Sequence, residues 1–455
     1  MIQIETLETT SLGDRSYLAS DGEIAVVVDP QRDIDRVLDL VEKRGVRVTH
    51  VFETHIHNDY LTGGLALAQA TGAAYLVNAG DPVTYDRTPI RDGEVVQVSP
   101  TLTVRAIATP GHTFTHLSYA LQADGVPVGV FTGGSLLYGA TGRPDLLGHE
   151  HTHELARHQF ASARRLAEEL PEQAQVLPTH GFGSFCSAGS TGEATASTIG
   201  QEKRYNPALT QDEERWVSDL LAGLDAYPAY YAHMGPGNSS GPRAADLSLP
   251  ERADKEVLAK RIANDEWVID LRTRTAFAAG HVTGTLNFGL DGQFATYLGW
   301  LLPWNAPLTL LGESPEQVAE AQRELVRIGF DRFEGAATGS ASDWTDDELG
   351  SFRRAQFADL AQVRHHRPVA VLDVRRATEF AEAHVDGAVN IPLHELLGRL
   401  DDVPAGEVWV HCAGGYRASI AASVLAASDV RVVAIDDSFG EQAAASGLPV
   451  VAQAA

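Results

Sequence analysis

Asp270-Leu271-Arg272 recurs as Asp373-Val374-Arg375, an offset of 103 residues. The same offset lays Gly280-His281-Val282-Thr283-Gly284-Thr285-Leu286-Asn287 on Ala383-His384-Val385-Asp386-Gly387-Ala388-Val389-Asn390. His, Val, Gly and Asn fall at matched places, and a period of about 100 residues is too long for a solenoid unit. The carboxyl-terminal half therefore reads as two copies of one small domain, at residues 250–350 and 355–455. Each copy sets short apolar runs (266–270 and 369–373) among helical stretches (315–328 and 418–428), which predicts α/β copies with parallel sheets.

Residues 1–240 differ in kind. Apolar strands at 24–29, 46–52 and 102–107 alternate with helix-like segments, so a further α/β unit is expected. The Ser/Gly/Thr/Ala stretch 187–197 reads as a loop, and Gly235-Pro236-Gly237-Asn238-Ser239-Ser240-Gly241-Pro242 reads as an interdomain linker. A chain of 455 residues has room for these three domains, each with its own core.

Charge narrows the partners. With 35 Lys+Arg against 61 Asp+Glu the formal net charge is −26, a field that repels nucleic acid and anionic lipid alike. Neither a secretory leader nor an apolar run long enough to span a bilayer is visible, so no membrane partner is expected and the location reads as cytoplasmic. Two cysteines, Cys186 and Cys412, cannot make a disulfide framework, and each calls for its own explanation.

After the strand ending at Phe52 comes Thr54-His55-Ile56-His57-Asn58-Asp59-Tyr60, a His-x-His-x-Asp pattern at a strand's carboxyl end, where open α/β sheets place ligands. His112, in Pro110-Gly111-His112-Thr113, and His180, in Pro178-Thr179-His180-Gly181, have similar settings. Converging imidazoles suit Zn and Fe. His116, His149, His151, His153 and His158 lie on or near polar helical sequence and read as solvated.

In the last copy the apolar strand 408–411 runs into Cys412-Ala413-Gly414-Gly415-Tyr416-Arg417, and a strongly helical stretch follows. Ala413, Gly414, Gly415 and Tyr416 would wrap the sulfur with backbone N–H groups. The helix amino terminus adds positive partial charge, so a thiolate or persulfide at Cys412 is stabilised without a metal. Arg417 offers a fork for an oxyanion. The matching place in the middle copy, Gly312-Glu313-Ser314-Pro315, has no cysteine.

Residues 54–63, the Gly111-His112-Thr113 turn, Phe131-Thr132-Gly133-Gly134 with Gly142-Arg143-Pro144-Asp145, and Pro178-Thr179-His180-Gly181 together resemble the metallo-β-lactamase superfamily. Within it they are most similar to persulfide dioxygenases related to glyoxalase II and to bacterial fusions of that enzyme with rhodanese domains. The Cys412 loop, with 373–375 and 384–390, resembles rhodanese. The implied architecture is α/β multidomain: an αββα sandwich followed by two rhodanese-like domains with parallel sheets, the first lacking its cysteine.

The resemblance implies one Fe(II), with Zn as the alternative, on His55, His112 and an aspartate whose place is Gly134 here; the histidine that commonly follows Asp59 is Tyr60. Two outcomes are left open. Either His57 completes a mononuclear site with His55 and His112, or the domain is a metal-poor scaffold that binds a thiol carrier. The first is expected, with Asp59, Tyr60 and His180 orienting the ligands. An aspartate restored at Gly134 would then tighten the metal. Cys186, six residues after His180, is expected as a sulfur-relay or substrate-contacting thiol at the site rim.

The implied activity is oxidation of a low-molecular-weight thiol persulfide by O2 to sulfite, with Cys412 passing sulfane sulfur to sulfite to make thiosulfate. The alternatives are a sulfurtransferase with only Cys412 at work, a glyoxalase II-type thioester hydrolase, and a persulfide-binding regulator. Glutathione, coenzyme A or another carrier thiol, and a monomer or homo-oligomer, all stay open.

Overall fold

A computed structural model describes residues 2–188 and 194–452. Two compact units account for it: Met1–Asp246 with Leu325–Gly329, and Leu247–Glu324 with Phe330–Ala455. The expected segments 250–350 and 355–455 share the second apart from Leu325–Gly329.

The first unit contains two six-stranded sheets. One runs, in spatial order, Gln3–Thr9, Asp14–Ser20, Ile24–Val28, Arg47–Phe52, Ala74–Asn78 and Thr88–Ile90, antiparallel in its first three strands and parallel thereafter. The other runs Ser197–Thr198, Gln175–Pro178, Val126–Gly133, Leu117–Ala123, Leu102–Ala108 and Val95–Gln97.

Alternation along single strands shows why they stack. In Ile24–Val28 every residue after Ile24 is buried. Val26 and Val28 meet Val104, Tyr119 and Phe131 of the facing sheet, while Ala25 and Val27 turn outward onto Val37 and Leu67 of two covering helices. A strand covered on both faces must be apolar throughout, and each fully buried valine contributes roughly 1.5–3 kcal/mol. The second sheet's outer face is covered by the helix Thr152–Glu169. Its Ala156, Phe160, Ala163 and Leu166 recur at helical spacing and pack on Val130 and Val176. Helix, sheet, sheet and helix thus lie in layers, and the strand ends of both sheets meet at one edge.

The expected linker 235–242 is corrected by the structure, because Tyr231–Ser240 is a helix. Its glycines permit close approach: a Cβ on Gly235 would lie 3.1 Å from the Asn58 side chain and one on Gly237 2.8 Å from Leu61. Asn238, buried, donates to the carbonyls of His57 and Tyr60 at 2.8 Å each and accepts the Thr62 N–H at 2.9 Å. Of the loop expected at 187–197, residues 189–193 lie outside the described residues; its flanks Ser187–Ala188 and Ser197–Thr198 are short strands.

The second unit holds two all-parallel sheets, four-stranded and five-stranded. The 103-residue offset survives at atomic detail. Arg272 Nη2 bonds Asp270 at 2.6 Å and the Gly280 carbonyl at 2.9 Å, while Arg375 Nη2 bonds Asp373 at 2.5 Å and the Ala383 carbonyl at 2.7 Å. Asn287 donates to the carbonyls of Asp270 and Arg272, and Asn390 to those of Asp373 and Arg375. These shared residues close the loop after each first strand.

Candidate functional site

Asp29, at the end of the strand Ile24–Val28, starts the metal-binding edge. Its two oxygens accept the backbone N–H and the hydroxyl of Thr54, each at 2.7 Å. A hydroxyl has one proton, so Thr54 Oγ1, 2.9 Å from His55 Nδ1, accepts there and leaves His55 Nε2 as a bare acceptor. His112 Nδ1 donates to the Arg143 carbonyl at 2.8 Å, and its Nε2 is buried with no partner. His180 presents Nδ1 to Asp14 at 2.9 Å and Asp59 at 3.1 Å, which turns its Nε2 to 3.4 Å from His55 Nε2.

His55, His112 and His180 therefore bring three ligand nitrogens within 4.8 Å of one another, and His57, Asp59 and His180 form a second such group. All five side chains are buried. His57 Nδ1, His112 Nε2 and Asp59 Oδ1 have no hydrogen-bond partner, and polar atoms stranded in a protein interior cost on the order of 1–3 kcal/mol each. A cation would satisfy all three kinds of donor, so these residues fit a metal ion.

Electrostatics sort the imidazoles. Burial among other histidines drives His55 well below its ordinary value and His112 down to about 3, so both are neutral ligands at pH 7. Burial opposes charge on His57 and His180 too, but carboxylates outweigh it: Asp29 and Glu53 raise His57 to about 9, and Asp59 and Asp14 raise His180 to about 10. Any ion at these two must displace a proton, so occupancy falls as the pH is lowered.

This arrangement changes the expected roles. His57, read as the third ligand, is engaged through Nε2 with Glu53 at 3.1 Å and Asp29 at 3.3 Å, and offers only Nδ1. His180, read as lying behind the ligands, stands in the three-imidazole group because two carboxylates hold its other nitrogen. Asp59 does orient His180, and its second oxygen faces the site unpaired. Tyr60 stacks on His57 with ring centroids 4.4 Å apart and its hydroxyl 3.0 Å from Nε2.

His116, read as solvated, is buried: its Nδ1 lies 2.8 Å from Thr109 Oγ1, its Nε2 accepts the Gly134 N–H at 3.1 Å, and its ring stacks on His55. Its place directly before the apolar strand Leu117–Ala123 was the available signal. Asp14, Asp29 and Glu53 were missed as well. Asp145 is committed to Arg143 at 2.6 and 2.8 Å and offers no spare oxygen for a metal.

Gly134 is more than a missing carboxylate. A Cβ there would lie 2.3 Å from His112 Cδ2, and the chain is fixed by Gly142 N–H on the Gly134 carbonyl at 2.8 Å. The expected gain from an aspartate is therefore reversed. Gly134→Asp should displace His112, lower metal content and destabilise the fold by about 1–3 kcal/mol; metal analysis with thermal unfolding checks this, and tighter metal binding would refute it.

Cys186 is also corrected. It is fully buried, and burial together with the Asp59 and Asp14 carboxylates pushes its thiol well above the ordinary range. A thiol held neutral is a poor nucleophile, which does not suit a relay.

Cys412 follows the strand Val408–His411 directly. Gly415 donates its N–H to Cys412 Sγ at 3.1 Å, and Tyr416 opens a twelve-residue helix whose amino terminus faces the sulfur. Gly415 has φ +91°, and a Cβ on it would strike the Asp436 carboxylate, so only glycine serves there. Ala413 accepts the Phe439 N–H at 2.9 Å, the Cβ position of Gly414 is open, and the Tyr416 hydroxyl donates to the Gly289 carbonyl at 2.8 Å. Arg417 departs from its expected role, because both terminal nitrogens bond Glu379, at 2.6 and 2.8 Å. Burial would raise Glu379, but this pairing holds it down at about 2.

Comparison with known proteins agrees with the fold. The profile of the rhodanese-like domain matches residues 356–444. The chain is 28% identical over 259 residues to the hydroxyacylglutathione hydrolase of Pseudomonas entomophila, covering 56% of this chain and 91% of that protein. It is 27% identical over 239 residues to the mitochondrial persulfide dioxygenase of Homo sapiens, covering 52% and 81%. Among solved structures, a metallo-beta-lactamase from Staphylococcus aureus subsp. aureus COL superposes with a TM-score of 0.66 at 27% identity, over 74% of this chain and 99% of that one. The protein thus carries a metallo-β-lactamase fold, similar in sequence to persulfide dioxygenase and hydroxyacylglutathione hydrolase, followed by a rhodanese-like domain.

Proposed function

We propose that this protein is a sulfur-metabolism enzyme that oxidises thiol persulfides to sulfite at a mononuclear metal and moves sulfane sulfur through Cys412 to make thiosulfate. The observation that carries the reading is the Cys412 sulfur, held by the Gly415 N–H at a helix amino terminus in a chain that also buries three converging imidazoles. Such a loop stabilises a negatively charged sulfur.

His55, His112 and His180 would hold the metal, with Asp59 Oδ1 and His57 Nδ1 beside it. Bound Fe(II) would supply the O2 chemistry that no side chain can perform. Thr54 and the Arg143 carbonyl fix the tautomers of His55 and His112, and burial of the cluster keeps bulk water from it. The overall change is R–S–SH + O2 + H2O giving R–SH, sulfite and two protons. At the second site the Cys412 thiolate attacks the outer sulfur of a persulfide, and the carrier thiolate leaves. Sulfite then attacks that sulfur, and the Cys412 thiolate is released with thiosulfate.

Oxygen uptake with glutathione persulfide tests the first half. One O2 should be consumed for each sulfite formed, counting sulfite trapped as thiosulfate. No uptake, with thiosulfate:cyanide sulfurtransferase activity intact, would leave only the sulfurtransferase. A second reading, thioester hydrolysis, is favoured by the His57, Asp59 and His180 group, which shares His180 with the first and could itself hold an ion. Hydrolysis of S-lactoylglutathione without oxygen uptake would select it.

A further inference from the structure

Arg417 closes the Cys412 loop, yet a carboxylate of the same copy covers its guanidinium. Glu379 Oε1 accepts Arg417 Nη2 at 2.8 Å; Oε2 accepts Arg417 Nη1 at 2.6 Å, Arg376 Nε at 3.2 Å and the Arg376 N–H at 3.1 Å. The pair is largely buried, with side-chain exposures of 12% and 23%. Arg376 and Arg417 border a small gap of about 10 Å³, closed on its other side by Tyr297, Trp300 and His394 with Val374 and Leu393. Trp300 and His394 stack with centroids 4.7 Å apart, and Tyr297 lies 6.0 Å from Tyr416, the residue before Arg417.

Glu379 already takes the end-on pair of Arg417 N–H groups that would grip a sulfonate. Removing the carboxylate's charge while keeping its shape would free that pair for a small dianion.

Resting on the sulfurtransferase reading above, we propose that Glu379 sets the donor preference of Cys412, disfavouring thiosulfate. By holding both terminal nitrogens of Arg417 it weakens the seat for thiosulfate, so thiosulfate is released readily as product and an organic persulfide is the better donor. Glu379 is a positioning residue: it acts through Arg417 and touches no reacting atom.

The test compares full-length Glu379→Gln and Glu379→Asp proteins with wild type, using thiosulfate and glutathione persulfide as alternative donors to cyanide. In the Gln protein the KM for thiosulfate should fall about tenfold, the size of one charge-assisted contact, and thiosulfate should inhibit persulfide turnover at correspondingly lower concentration. The Asp protein, which keeps the charge, should retain the wild-type donor preference. An unchanged or raised KM for thiosulfate in the Gln protein overturns the proposal, as does an equal loss with both donors. The intact mass of wild type separates the two levels of failure: if Cys412 gains no sulfur atom from glutathione persulfide, the sulfurtransferase reading falls and this proposal with it.

Discussion

Metal content should drop to background when His112 is replaced by alanine. Its Nε2 is the one ligand nitrogen that is neutral, buried and unpartnered, and its Nδ1 is locked by the Arg143 carbonyl. Losing a residue behind a ligand typically costs 10–100-fold in metal affinity, so losing the ligand itself should cost more, on the order of 10³-fold. His180→Ala and His57→Ala then separate the two possible third ligands. The geometry expects the larger loss at His180, because its Nε2 already faces His55, whereas His57 offers a nitrogen on the far side of a carboxylate-bound ring. Metal per chain, measured on anaerobically purified protein, decides it. Wild-type occupancy in His112→Ala would refute the whole centre, and a greater loss in His57→Ala would restore the ligand set expected from His-x-His spacing.

Cys412→Ser should lower sulfur transfer by at least about 10³-fold, since a serine hydroxyl forms no persulfide and is scarcely ionised at pH 7. The substitution nearly conserves volume, so the fold around Gly415 should survive it. Metal content should match wild type, because the two centres share no residue. Residual transfer above a tenth of wild type would point to a second carrier, and Cys186, buried and neutral as it is, would have to be reconsidered. A loss of metal in this variant would count against separate centres.

The repeat was legible because its shared residues do the same work in both copies: each aspartate anchors an arginine, each asparagine ties two carbonyls, and each histidine bonds a carbonyl four residues earlier. Such short-range bonds leave a local signature. The cysteine loop was legible for the same reason, its glycines lying within four residues of the sulfur. Strand-end histidines could be picked out singly, but not sorted into ligands and supports. That depends on which ring nitrogen a distant carboxylate takes, as Asp14 does 166 residues from His180. Arg417 was misread in the same way, since Glu379 is 38 residues away and invisible to a motif. Chain order also hid the helix Tyr231–Ser240: a Gly-Pro-Gly-Asn-Ser-Ser run spells a turn until Asn58 and Leu61 are found pressed against its glycines.

That helix bears on how the protein could be cut apart. Asn238 stitches the backbone on either side of Asp59 to a segment nearly two hundred residues later, so the stretch that looks safest to sever is the latch on the histidine loop. A fragment stopping at residue 230 would keep every ligand and lose the bonds that hold the stretch from His57 to Thr62 in place.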